Sequence, residues 1–391
     1  MRHSIYTPTI LLMAISAGVC AGGNYFSQPL VHSMSQNLRQ PETVVAWVPT
    51  LAQVAYSIGL LLLTPLGDIV EKRRLVLIFM LLASAGLLLC GALHDFSMLL
   101  VGTIITGLFS SASQLLLPLA ASSVPLHKSG QAVGFVISAM MLGVLLARSL
   151  SGLMSSLFSW YFIYLICSGI LLACALVLYR SLDAYPAESK RSYAHTLRNL
   201  WNILRQHKRL QLRTLVGAVT FASLSTAFVT MSLLLVPEPF HFSDFHVGLF
   251  GMVGIFGAIM ANFSGRYIDR GYGYKISLIF SGGMMLSWLL FSLVYHSMLF
   301  YGMATILLYA SMSAIHVTNQ SIVFKLAGSE KSSFNAIYMT GYYWGGALGT
   351  SLSVLVWKHF AWNGVCIFGF GLAILGLWLC IKDQQYAKNM A

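Results

Sequence analysis

Arg148 is the residue with the clearest capacity for chemistry, because it stands alone within a long apolar stretch. A charged side chain in the middle of a bilayer costs about 2.5 to 3.5 kcal/mol, so it needs a wet cavity or a partner. We expect no buried carboxylate to neutralise it, because no Asp or Glu lies deep within any predicted apolar stretch. A guanidinium matches a carboxylate or phosphate, which favours an anionic solute. The alternatives are an outer gate pair with Glu238 or Asp244, or a side chain that reaches the membrane interface.

Polar side chains at helical spacing mark the apolar stretches of the first half. Asn24 and Gln28 are four residues apart with Tyr25 beside them, and Gln53 and Tyr56 are three apart. Each pair would share one face of a helix. Such a face lines a pore or, alternatively, bonds to a neighbouring helix.

The second half carries comparable stripes, and they complete the predicted binding site. One stripe is Tyr309, Ser313, His316 and Gln320; Gln114 takes roughly the place of His316 in the first half. His316 titrates in the physiological range and is therefore either a proton carrier or a simple hydrogen-bonding histidine. The predicted substrate-binding residues are Asn24, Tyr25, Gln28, Gln53, Tyr56, Gln114, Arg148, His316, Gln320, Tyr338 and Tyr342.

Twelve apolar stretches must position these residues. Hydrophobic residues make up 57% of the chain, and the mean hydropathy is +0.76. A membrane-spanning helix needs about 20 apolar residues, and spans of this length satisfy their backbone groups only as helices. We therefore predict an all-α membrane protein, in which Gly341, Gly345 and Gly349 allow close helix approach. The predicted spans are 8–30, 44–66, 74–93, 97–120, 130–155, 160–180, 213–237, 246–269, 274–295, 297–320, 334–357 and 361–381.

The positive charges predict the orientation of these spans. All but three of the 23 Lys and Arg fall in segments on one side. The exceptions are Arg39 and Lys358, on the other side, and Arg148 within a span. Because loops that remain in the cytoplasm are rich in Lys and Arg, both termini are expected there. The net charge of +12 then faces the inner leaflet and requires no nucleic-acid partner.

One long polar interruption divides the spans six and six. We predict an N-terminal bundle at 1–180, a basic linker with an amphipathic helix at 181–212, and a C-terminal bundle at 213–391. The two halves resemble each other in sequence when they are aligned at an offset of about 201 residues. This alignment pairs Asp68 with Asp269 and Trp160 with Trp362. This indicates duplication, and pseudo-symmetric halves with a site between them are one arrangement for alternating access.

The segment after the second span resembles a family signature. Thr64-x-x-x-Asp68 is followed by Lys72-Arg73-Arg74, and the second half carries Gly265-x-x-x-Asp269-Arg270. This is similar to the G-x-x-x-D-[RK]-x-G-R-[RK] motif of the major facilitator superfamily (MFS), although Thr64, Ile69 and Glu71 depart from it. The resemblance implies a 12-helix transporter fold over essentially the whole chain.

The resemblance also implies a gate and a subgroup. In the family, the Asp of this motif latches a cytoplasmic gate, which assigns gating to Asp68, Arg73, Asp269 and Arg270. Gln28-Pro29-Leu30 and His316-x-x-Asn319-Gln320 are similar to a bacterial inner-membrane subgroup. Two motifs of the family's proton-driven drug exporters are absent, since Thr103 stands where an Arg would precede Gly107 and Arg148 interrupts the fifth span.

These observations predict a secondary active transporter of a small, anionic organic solute, working by alternating access in the bacterial inner membrane. The alternative is a multidrug/proton antiporter that exports amphipathic compounds, which the 18 Met and the aromatic residues favour. A non-transporting membrane sensor is a third class. We expect no enzyme activity, cofactor or metal, and a monomer whose partners are its solute, the bilayer and, as a candidate coupling ion, the proton.

Overall fold

The structure is a computed structural model that describes residues 8–125, 129–182, 193–327 and 331–388. Within these ranges the regular structure is helical, as predicted. Apolar runs of this length form helices because each backbone group finds its partner within the segment. In chain order the helices are α1 Pro8–Gly23, α2 Val31–Leu38, α3 Glu42–Val45, α4 Trp47–Ile58, α5 Lys72–Ala92, α6 Phe96–Phe109, α7 Ala112–Ser122, α8 Ser129–Leu157, α9 Phe162–Ser181, α10 Tyr193–Gln206, α11 Lys208–Leu235, α12 Asp244–Leu249, α13 Gly254–Asp269, α14 Gly273–Phe291, α15 Met298–Leu326 and α16 Lys331–Lys388.

Ten helical segments of the described residues are long and apolar enough to cross a membrane. The last of them, Ser333–Lys388, has 56 residues and bends at Ala361, where φ is 48°, so it supplies two spans. The apolar helix α1 is shorter, with 16 residues. Each of the twelve predicted stretches contains helix, and the predicted all-α membrane fold is confirmed.

The first predicted span, 8–30, is wrong in its second part, because α1 ends at Gly23. The chain continues in tight turns, with the Tyr25 amide donating to Gly22 O over 2.8 Å. Gly22 and Gly23 weaken the helix, and Pro29 disfavours helical geometry at Gln28. Asn24 and Gln28 consequently do not share a helix face, contrary to the prediction.

The chain forms two compact units. We call them unit 1 and unit 2 and describe each by itself. Unit 1 comprises Met1–Pro41, Leu51–Leu197 and Ser243–Gly248, and unit 2 comprises Glu42–Thr50, Arg198–Phe242 and Leu249–Ala391.

Small residues bring one pair of helices into backbone contact in each unit. In unit 1, a Cβ on Gly18 of α1 would lie 2.9 Å from Ala139 O of α8. In unit 2, Gly345 and Gly349 of α16 lie against the backbones of Ala218 and Ala222 of α11. The predicted close approach at these glycines is confirmed.

The region predicted as a linker holds α10 and the start of α11. The helix α10 buries Leu200 and Ile203 and exposes Trp201, as an amphipathic helix does. Residues 208–212 belong to α11 instead of the linker, and residues 183–192 lie outside the described part.

Candidate functional site

Arg148 of unit 1 is buried in α8, with 3% of its surface exposed. Its Nε donates to Gln28 Oε1 over 2.7 Å, and its guanidinium lies over the Tyr25 ring at 4.6 Å. Because α1 packs against α8 through glycines, the turn after α1 is carried to Arg148. Three residues of the predicted site, Arg148, Gln28 and Tyr25, are therefore in contact. Gln28 and Tyr25 lie in the turn after α1 and not on a helix face.

Asn24 and Gln53 of unit 1 are also buried. Asn24 donates from Nδ2 to Cys20 O over 3.3 Å, while its Oδ1 has no hydrogen-bond partner among the described residues. Gln53, on α4, likewise has neither amide atom bonded there. Asn24 and Thr106 border a cavity of about 10 Å³, which is room for about one water molecule. Unsatisfied buried amides of this kind are expected to bind water or a solute.

Tyr56 and Gln114 complete the predicted set in unit 1. The Tyr56 hydroxyl lies 3.3 Å from Ser113 Oγ of α7, and Gln114 follows on the same helix, half-buried. Tyr56 is thus held by a neighbouring helix, which is the alternative role considered for these polar side chains.

The segment Ser243–Gly248 docks closely on α8 within unit 1. Asp244 Oδ2 accepts hydrogen bonds from Ser155, over 2.9 Å, and from Ser33 of α2. The absence of side chains at Gly152 and Gly248 leaves room for Asp244 O and Arg148 O. Ser155 stands about two helical turns, or about 10 Å, beyond Arg148 along α8. The Asp244 carboxylate is therefore engaged by serine hydroxyls at that end of α8.

His316 of unit 2 lies in an aromatic cluster. Its Nδ1 is 3.0 Å from the Tyr338 hydroxyl, and its ring centroid is 4.6 Å from that of Tyr342. Phe221, which the sequence did not single out, stacks on Tyr342 at 4.2 Å. Gln320 points instead to Met339 Sδ, 3.9 Å away. Three residues of the predicted binding site, His316, Tyr338 and Tyr342, therefore lie together, and aromatic rings surround the imidazole.

A buried ion pair joins two helices of unit 2. Arg213 and Asp383 each expose about 1% of their side chains. Arg213 Nε donates to Asp383 Oδ2 over 2.9 Å, and Nη2 donates to the same oxygen. Arg209 adds a 3.3 Å contact to Asp383 Oδ1.

Arg213 is the first residue of the predicted span 213–237, and Asp383 lies two residues beyond the predicted span 361–381. The helices α11 and α16 extend past the apolar runs, so their charged ends enter the packed interior. The signal available in the sequence was weak: an Asp between basic residues, at the end of the last apolar run.

Two of the predicted gating residues, Arg73 and Arg270, each contact a tyrosine of their own unit. Arg73 donates from Nη2 to Tyr179 O near the end of α9 and lies over the Tyr179 ring at 4.6 Å. Arg270 lies 5.8 Å from the Tyr267 ring. The side chains of Asp68 and Asp269 are outside the described part, so the latch stays a prediction.

Comparison with known proteins decides the family. The family model described as Major Facilitator Superfamily matches residues 13–350. This chain belongs to the major facilitator superfamily. Membership confirms the predicted family, and it identifies a membrane transport protein rather than an enzyme.

Relatives within the superfamily are named as transporters. The "Uncharacterized transporter YgaY" of Escherichia coli O157:H7 is 34% identical over 390 residues, covering 99% of both chains. The "Inner membrane transport protein YnfM" of Escherichia coli K12 is 27% identical over 367 residues, covering 92% of this chain and 86% of the relative.

A solved superfamily structure shares the fold. The crystal structure of a point mutant of the nucleoside transporter NupG superposes with a TM-score of 0.75 at 14% identity. The match covers 96% of this chain and 99% of that one, and at this identity it concerns the fold alone.

Proposed function

We propose that this protein is a secondary active transporter that carries a small organic anion across the bacterial inner membrane. The observation that carries the proposal is the buried Arg148, which Gln28 and Tyr25 hold on a membrane-spanning helix. Gln28 and Tyr25 hold the guanidinium in one orientation. A guanidinium oriented in this way is suited to a carboxylate or phosphate.

The mechanism we propose is alternating access between two six-helix halves, 1–180 and 213–391, joined by the basic linker. The repeated sequence and the helix contacts made through glycines in each unit support this assignment. The distribution of Lys and Arg supports cytoplasmic termini. The polar residues around Asn24, in the same unit as Arg148, would then contact the non-ionic parts of the solute.

An Arg148→Gln variant tests the anion site. Purified protein should gain thermal stability with the matching organic anion, since a ligand at 100 times its Kd stabilises by about 2.7 kcal/mol. The gain should vanish in Arg148→Gln because the charge that binds the anion is gone. The measurement is a thermal-shift screen of matched anionic and cationic solutes.

Arg205→Gln is the control for this screen, because it removes the same charge from an exposed position on α10. It should keep the full anion response. Stabilisation by lipophilic cations that persists in Arg148→Gln would contradict the proposal and favour multidrug export.

His316 is the proposed proton carrier, because its ring is half-buried among tyrosines on a spanning helix and an imidazole nitrogen can take up and release a proton. If proton and anion bind together, the anion-induced shift in Tm should grow as the pH is lowered. This pH dependence should be lost in His316→Gln. A variant that retains the full pH dependence would exclude His316 as the carrier.

A further inference from the structure

A small cavity in unit 1 lies beside the turn that follows α1. Its volume is about 10 Å³, and its lining includes Asn24 and Ser27 of the turn, Thr103 and Thr106 of α6, and Tyr164 of α9. Each of these five side chains carries a hydrogen-bonding group, and each residue is more than nine-tenths buried. A cavity of this size with several polar groups has room for about one water molecule.

Asn24 provides this cavity with a hydrogen-bond acceptor. Its Nδ2 donates to Cys20 O of α1 over 3.3 Å. This bond fixes the orientation of the amide, because the reverse orientation would place two oxygens against each other. Asn24 Oδ1, at the other end of the amide, has no hydrogen-bond partner among the described residues. It is therefore a buried acceptor that needs a donor.

Thr106 provides the cavity with a hydroxyl. Thr103, about one turn earlier on α6, donates to Leu99 O over 2.7 Å, which is a common way for a threonine in a helix to satisfy its hydroxyl. Thr106 Oγ1 has no partner within the described part of the chain. It lies against Gly86 of α5, where a Cβ would come within 2.5 Å of it. Thr106 and Asn24 border the same cavity, so one small molecule can satisfy both.

The turn after α1 lies between α8, which carries Arg148, and α6, which borders the cavity. A Cβ on Gly22 would lie 3.3 Å from Ala147 Cβ of α8, and a Cβ on Gly23 would lie 3.5 Å from Thr106 Cγ2 of α6. The same turn holds the Arg148 guanidinium. A link between the turn and α6 would therefore also fix the side chains that hold Arg148.

We propose that the cavity binds one water molecule, which donates to Asn24 Oδ1 and accepts from the Thr106 hydroxyl. The water supplies the bond that these two side chains do not make directly. It links the turn to α6 and keeps the turn in the position from which it holds Arg148. Asn24 and Thr106 are thus positioning residues. The proposal goes beyond the proposed function, because the water site does not depend on whether Arg148 binds an anion.

A density map of the full-length protein in lipid nanodiscs, at a resolution that shows ordered water, tests the occupancy of the cavity. We expect a peak about 2.5 to 3.2 Å from both Asn24 Oδ1 and Thr106 Oγ1. An empty cavity in such a map would overturn the proposal.

Thr106→Val tests the same water through stability, because valine keeps the shape of threonine and lacks the hydroxyl. If water is bound, it loses one partner, and the unfolding midpoint should fall by about 2 °C or more. In a dry cavity the substitution would remove an unsatisfied buried hydroxyl, so the midpoint would stay or rise. Hydrogen exchange in residues 22–30 should also rise about threefold or more, since the turn loses its link to α6. A midpoint that does not fall would refute the bound water, and unchanged exchange would refute its positioning role.

A double variant with Asn24→Leu shows whether the two residues share one occupant. The shift in midpoint of the double variant should be clearly smaller than the sum of the single shifts, because both substitutions act through one water. Thr305→Val is the matched control, since Thr305 is buried in unit 2 and donates to Tyr301 O over 2.8 Å. Its effect should add to that of Asn24→Leu. Additive shifts for Asn24→Leu and Thr106→Val would contradict a shared water. None of these measurements uses a solute, so the thermal-shift screen decides separately on anion binding at Arg148.

Discussion

Asp383→Asn is expected to destabilise the protein by about 3 to 5 kcal/mol, which is the range for removing one partner of a buried ion pair. The variant has nearly the same shape as the original, so the loss comes from charge and not from packing. Arg213 would remain buried with only neutral partners, Asn319 and Ser277. The expected result is a lower unfolding midpoint and less folded protein after extraction, measured by denaturant-induced unfolding in micelles.

Two companion variants separate charge burial from other causes. Arg213→Met combined with Asp383→Leu removes both charges and is expected to recover most of the stability, because apolar pairs of similar volume often replace buried ion pairs without loss. Glu71→Gln breaks the exposed pair with Arg74, whose side chain is 76% exposed. Exposed pairs contribute about 0 to 1 kcal/mol, so this control should behave like the original. An Asp383→Asn variant of unchanged stability would refute the role assigned to the pair.

Gly345→Val is the second substitution with a large expected effect. The new side chain would collide with the backbone of Ala218 on α11, and a backbone carbonyl cannot move aside as a flexible side chain can. Overpacking of this kind costs about 1 to 3 kcal/mol or more, and separation of α11 from α16 would also disturb the stack of Phe221 on Tyr342. The measurement is the same unfolding midpoint, together with protection of α11 against hydrogen exchange.

Gly371→Val supplies the comparison, since it makes the same change in α16 where no atom lies within 4 Å of the new Cβ. Helix propensity and hydropathy change equally in the two variants. Only the contact with α11 differs, so equal stability of the two variants would show that close approach at Gly345 is unimportant.

Several features of the site were predictable because they depend on local pattern. The glycines at 341, 345 and 349 recur every four residues on one helix face, and only small residues permit the backbone contact that the structure shows at Gly345 and Gly349. The cluster of His316, Tyr338 and Tyr342 was predictable for the same reason, since each stripe lies on one face of its own helix. Phe221 was missed because nothing in its local sequence distinguishes it from other apolar residues of α11.

The sequence was misleading where residue spacing was used to assign side chains whose positions depend on contacts between distant parts of the chain. Asn24 and Gln28 were assigned to a helix face, but α1 ends at Gly23 and a turn carries Gln28 to Arg148. Arg213 and Asp383 stand at the ends of their apolar runs, and nothing in the local sequence shows that they pair inside unit 2.

The sequence by itself determined that this chain is a helical membrane protein of twelve apolar segments. This was possible because a segment that spans lipid must be apolar and helical, and a helix satisfies its backbone hydrogen bonds within its own residues. Only the tertiary structure decided which polar groups are partners, such as Arg148 with Gln28 and Arg213 with Asp383. These partners are 120 and 170 residues apart, and a buried charge or amide is satisfied by whichever helix the fold places beside it.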